Sequence, residues 1–253
     1  MIRRLYCACI GAALLHAGSA VFAQGAPRSY AVLSEMAREV MVTNFQESTG
    51  TRLGANLTTR IPIPEGALDK VALVTAKQNI EKLAKGAPVW LVAPLDTDLF
   101  DARAVYTEGT TLKVPDDLAA ALKEHGSTHL LLFTRLRDEA NLRAQNARVG
   151  TGLIEGPGFY IDRHTKMTNL DTLTTTAGFI APYLYMRATL LDARTGVILA
   201  TRRVVEGEVL SASVAEQSGD PWSVMTPTEK VAQISAMIKR EVDKAVPALL
   251  AVR

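Results

Sequence analysis

The sequence predicts an α/β protein: a mixed sheet with amphipathic helices packed on it and a long β-hairpin or loop insertion. Three observations carry this reading. Short apolar runs of strand length at 89–95 and 129–136 alternate with segments of helical spacing. Two strand-like runs at 183–193 and 197–207 flank the turn residues Asp192-Ala193-Arg194-Thr195-Gly196, and the chain closes on a long amphipathic helix. Composition agrees with a globular protein, since 48% of the 253 residues are hydrophobic and 21% charged.

The first residues are read as an address rather than as structure. Arg3 and Arg4 precede an apolar stretch, and Val21-Phe22-Ala23 forms an A-x-A-like site, so residues 1–23 are expected to be a signal peptide cleaved after Ala23. Its removal takes two of the 28 basic residues and leaves them equal in number to the 26 acids. A neutral chain has no field to attract phosphates, so nucleic acid is not an expected partner. Cys7 and Cys9 leave with the leader, which excludes a disulfide, a thiolate nucleophile and a Cys-bound metal from the remainder. The expected location is periplasmic, and residues 24–253 are expected to form a single domain.

Along that domain, 31–38 has a helical beginning and 39–45 reads as a strand because of its β-branched residues. Gly, Thr, Asn and two prolines make 49–63 a long loop or loose hairpin. Leu68, Val71, Ala72, Thr75, Ile80 and Leu83 recur at helical spacing over 67–85, and Gly86 suits the stop. The run 89–95 has the continuous apolar character of a strand buried on both faces. Pro115 opens a second helix that ends before Gly126, and 129–136 is another buried strand. Residues 146–182 form an insertion whose glycines stand beside large apolar side chains. The last helix spans 227–250 with Thr226 or Thr228 as cap, Glu229 in its first turn, and Pro247 to bend or end it.

The strand Gly126-Ser127-Thr128-His129-Leu130-Leu131-Leu132-Phe133 after a helix, the hairpin from Leu190 to Leu199 with its D-x-x-T-G turn, and the closing helix together cover about half the chain. In these pieces the chain resembles the periplasmic α/β domains grouped around the curli secretion lipoprotein family, the flagellar outer-membrane accessory proteins and the penicillin-binding-protein activator lipoproteins. The resemblance implies a non-catalytic domain that binds other envelope proteins or assembles into larger structures. It brings no catalytic residue, and this chain has no lipid-anchor cysteine at the end of its apolar run.

Candidate sites follow from chemistry. Phe159, Tyr160, Phe179 and Tyr183 are expected to act as aromatic anchors for a partner on an exposed insertion, or else to complete the core. Asp96, Asp98 and Asp101 follow a strand, where carboxylates could hold Mg²⁺ or Ca²⁺. They support the rival reading of a divalent-metal-dependent hydrolase or ligand-binding protein; as loop residues they would serve only local hydrogen bonds. His125 and His129 fall at a helix end and a strand start, which is no zinc motif. Neither a G-x-S-x-G elbow nor a phosphate loop is present. Arg135, Arg137, Arg143, Arg148, Arg202 and Arg203 alternate with apolar residues and could line a face for an acidic partner or polymer, or a solvated sheet face. No cofactor is expected. The function read from the sequence is an exported, non-catalytic binding or assembly accessory protein of the cell envelope. Its partners are envelope proteins or a second copy, with peripheral membrane contact as a third class.

Overall fold

The computed structural model describes residues 28–47, 56–93, 99–145, 147–168, 173, 175–210 and 220–251. The expected leader, with both cysteines, lies outside them, as do Asp96 and Asp98. Strand β1 (Tyr30–Glu35) is buried along its whole length, and after a short turn the chain continues as β2 (Glu39–Asn44). This corrects the helical beginning expected at 31–38. Tyr30 and Val32 pack on one side of the sheet and Ala31 and Leu33 on the other, so both faces are covered and the apolar run carries no helical periodicity that matters.

The turn between β1 and β2 is held by a carboxylate from α1 (Ala67–Leu83). Asp69 Oδ1 accepts from Ser34 Oγ at 2.5 Å and from the Met36 and Ala37 backbone N–H groups at 3.1 and 3.2 Å. Between these elements β3 (Leu57–Pro62) runs antiparallel to β2. After α1, β4 (Val89–Leu91) pairs parallel with β1. It is three residues long and only half-buried, so the strand expected at 89–95 is a short edge strand rather than one enclosed on both faces. Helix α2 (Asp116–Glu124) then leads into β5 (His129–Arg135), which pairs parallel with β1 on the side away from β4.

From β5 the chain continues as β6 (Arg137–Glu139), still part of the sheet, and then leaves it in the small hairpin of β7 (Leu142–Ala144) and β8 (Ala147–Val149). It returns as β9 (Leu153–Thr168), which lies parallel to β2. Strand β10 (Thr175–Asp192) is antiparallel first to β9 and then to β5, and β11 (Ile198–Gly207) runs along its opposite edge. The sheet is therefore built in columns: β1 and β2 end to end, β5 and β9 end to end beside them, and β10 spanning both. Nine strands join in this mixed sheet among the described residues.

The expected insertion at 146–182 is thus the central part of the sheet. Its glycines serve close packing: a Cβ at Gly158 would stand 2.3 Å from the Met41 carbonyl oxygen and 2.5 Å from the Tyr183 ring. The expected hairpin turn is present. Asp192 Oδ1 accepts from the N–H groups of Arg194 and Thr195, both at 2.9 Å, and Gly196 takes a φ of 71°.

Helices α1 and α3 (Pro227–Leu250) cover one face of the sheet. Leu68, Ala72 and Ile80 meet Ile234, Ile238 and Val242 above Leu131, Phe133, Leu184 and Met186. Asn79 Nδ2 donates to Asp243 Oδ1 at 2.8 Å and ties the two helices together. Leu118 and Leu122 of α2 pack on the other face against Leu130, Leu132 and Leu191. Each of the Leu, Ile, Val, Phe and Met side chains among them contributes roughly 1.5–3 kcal/mol through burial. Pro247 does not end α3, which continues to Leu250.

Candidate functional site

All four proposed aromatic anchors are core residues: Phe159, Tyr160, Phe179 and Tyr183 are at most 2% exposed. They do not form one surface either, because alternation along β9 sends neighbours to opposite faces. Phe159 lies under the α1 and α3 layer, with Trp222 at 5.7 Å. Tyr160 stacks on Phe179 at 6.1 Å on the other face, where Tyr183 and Tyr185 also pack. Their hydroxyls have internal roles. Tyr160 accepts from the Thr151 N–H at 3.1 Å, Tyr183 is 3.2 Å from Thr43 Oγ1, and Tyr185 accepts from Asn141 N and donates to Glu139 O. Burial pushes the Tyr183 phenol well above its ordinary pKa and the Tyr185 phenol up to about 12, so both stay protonated. Of the two readings these aromatics allowed, anchors on an exposed insertion or residues that complete the core, their burial agrees with the second and not with the first.

Of the three aspartates, Asp101 is described, and its Oδ1 accepts from the Arg103 N–H at 2.9 Å as a loop carboxylate does. Among the described residues no three His, Cys, Asp or Glu side chains gather as metal ligands. His125 caps the end of α2 and stacks on Trp90 at 3.9 Å, while His129 begins β5.

The alternating arginines separate in space. Arg143 pairs with Glu208 at 3.0 Å, and Arg203 pairs with Asp138. Arg135 and Arg137 instead enter a groove at the junction where β5 ends and β9 begins. One cavity of about 440 Å³ there is lined by Arg60, Arg103, Arg135, Arg137, Asp101 and Glu155, with the 99–103 segment as one wall. A second, of about 250 Å³, shares Arg60, Arg137 and Glu155 and continues past Thr58 and Thr43. The groove lies beyond the carboxyl ends of the parallel strands β1 and β5, where open α/β sheets place ligands. Two of its ion pairs are loose, Arg60 to Glu39 at 3.5 Å and Arg137 to Glu155 at 3.8 Å, while Arg135 lies 3.7 Å from both Glu39 and Glu155.

Behind the same wall runs a polar row whose buried members, Glu35, Thr134 and Arg187, sequence reading did not single out, and whose outer end is the exposed Arg203. Glu35, Thr134, Arg187 and Arg203 stand opposite one another across β1, β5, β10 and β11. The Arg187 guanidinium is 4.1 Å from the centre of the Tyr106 ring. Burial draws Arg187 below the ordinary guanidinium pKa and raises that of Tyr106. Tyr106 OH, Thr134 Oγ1 and Arg187 Nη1 have no hydrogen-bond partner among the described residues. The available signal was a lone charge inside Tyr183-Leu-Tyr-Met-Arg187-Ala-Thr-Leu-Leu, a strand otherwise rich in apolar residues.

No family model and no curated protein matches the chain. Among solved structures it is similar to the PelC dodecamer from Paraburkholderia phytofirmans, at 11% identity over 89% of this chain and 88% of that one, with a TM-score of 0.29. It is also similar to a hemagglutinin homolog from Helicobacter pylori described as neuraminyllactose-binding, at 10% identity over 87% and 90% with a TM-score of 0.33. The hypothetical protein CT253 from Chlamydia trachomatis aligns at 9% identity over 87% and 99%, with a TM-score of 0.27.

Proposed function

We propose that this protein is an exported, non-catalytic accessory protein of the cell envelope that acts by binding another envelope protein through the free edge of β3. The observation that carries this reading is the state of that strand. All six residues of β3 are exposed, Leu57 by 61% and Ile61 by 39%, and among the described residues the strand pairs with β2 alone. An edge of this kind offers a row of backbone donors and acceptors to an added strand, with apolar side chains beside them. The resemblance to envelope-accessory domains favours the same role, as does the leader read at residues 1–23.

Photoreactive residues placed at Leu57 and Ile61 in the source cells test it, with Val105, an 87% exposed apolar residue on another segment, as control. Adducts with one envelope protein from β3 and none from Val105 are expected. Equal adducts from both positions, or none from β3, would overturn the reading.

A further inference from the structure

We infer that the arginine groove beside β3 receives the carboxylates of an acidic, extended segment of the partner, whose backbone lies along the free edge of that strand. This rests on the strand-addition reading above and adds the partner's chemistry to it. Arg60 belongs to both features: it is a residue of β3, and it lines both cavities. Thr58, two residues away on the same face, lines the second. A strand added beside β3 lies about 4.8 Å from it, and every second side chain on it points to the face that carries Thr58 and Arg60. Those side chains meet Arg60 first, and Arg137 and Arg103 line the same groove. The intervening side chains fall on the face of Leu57 and Ile61, which favours apolar residues there. The partner segment is therefore predicted to alternate acidic and apolar residues.

Charge and geometry both favour carboxylates. The larger cavity sets four arginines against Asp101 and Glu155. Arg60 and Arg137 hold their glutamates at 3.5 and 3.8 Å, longer than the 2.7–2.9 Å of a well-formed charge-assisted hydrogen bond. Their side chains are 61% and 36% exposed, so their N–H groups can turn to an arriving carboxylate at little cost in structure. The same walls disfavour a polyanionic polymer. Glu39, Glu155 and Asp101 are interspersed with the arginines, and an unbroken line of negative charge would lie against all three. Discrete carboxylates two residues apart can face the guanidiniums and avoid the glutamates.

The test uses the purified protein and a fluorescent ten-residue peptide of alternating Asp and Val, with the Lys and Val counterpart as control and polyphosphate as a second probe. Anisotropy is expected to show binding of the Asp peptide alone, weakening as salt rises. The double variant Arg60→Gln/Arg137→Gln should bind it about tenfold more weakly, the loss expected of one or two charge-assisted hydrogen bonds, with an unchanged melting temperature. Arg60→Glu/Arg137→Glu should reverse the preference toward the Lys peptide. Equal binding of the two peptides, no binding of either, or full affinity in the Gln variant would overturn the inference. Tighter binding of polyphosphate, lost in the same variant, would overturn it too by assigning the groove to a polyanion. If adducts from Leu57 persist undiminished in the Gln variant, the edge reading stands and the acidic partner falls. If the Asp peptide binds but no envelope protein is captured at Leu57, the groove stands and the envelope reading falls.

Discussion

Asp69 shows how much one side chain decides. Three donors converge on its Oδ1 and fix the turn where β1 becomes β2, so Asp69→Ala would leave two buried N–H groups and the Ser34 hydroxyl without their acceptor. A loss of about 3 kcal/mol is expected in urea unfolding, with Asp69→Asn milder because its Oδ1 can still accept. Burial raises the Asp69 pKa against the opposing hydrogen bonds from Ser34, Ala37 and Met36. Between the unfolded and folded values the native state then holds more protons. This group's contribution to stability is therefore greatest below the unfolded value and declines as pH rises through the folded one. Asp69→Asn should flatten that part of the stability profile; an unchanged profile would show that the carboxyl does not titrate there. Gly158 is a second decisive position. Gly158→Ala forces a methyl group into the Met41 carbonyl and the Tyr183 ring, and a loss of about 3 kcal/mol or failure to fold is expected by thermal unfolding. Neither residue was legible as critical beforehand: Asp69 looks like an ordinary first-turn acid, and Gly158 like a loop glycine.

At the scale of elements, helices were read more accurately than strands. The cap of α3 is a reciprocal pair in which Thr226 Oγ1 accepts from the Glu229 N–H at 3.3 Å and Glu229 Oε2 accepts from the Thr226 N–H at 2.7 Å. Thr226→Ala should cost about 1 kcal/mol in chemical denaturation. Hydrogen bonds from Thr226 hold the Glu229 pKa below the ordinary carboxylate value, so the cap's contribution is present above the unfolded pKa and is lost as pH falls through the depressed one. The wild type should lose more stability on acidification than Thr226→Ala; parallel profiles would discount the cap. Helices were legible because caps and a 3.6-residue period lie within a few residues of one another. Strand β9 and the first half of β10 were not, since Gly156, Pro157, Gly158, Gly178 and Pro182 punctuate them as they would a loop, whereas the second half of β10 was read as a strand over 183–193. Gly158 is required by its contact with β2, and Gly178 lies at the register shift between Ala177 and Phe179, neither of which a local pattern announces.

Across the whole molecule, the rival metal reading has a simple check. Millimolar Mg²⁺ or Ca²⁺ is expected to leave the melting temperature unchanged, and a rise of several degrees, abolished by Asp96→Asn/Asp98→Asn, would restore that reading by mass action. The α/β class, helices α1, α2 and α3 and the tight turn after β10 were determined by the sequence alone, because capping, periodicity and turn chemistry act between near neighbours. Only the tertiary structure decided where the large aromatics and the arginines belong. A strand presents every second residue to each face, so the role of Tyr160 or Arg137 depends on which strands lie beside it and in what register. The same register carried the four proposed anchors into the core and brought Arg60, distant in the chain, to the groove of Arg135 and Arg137.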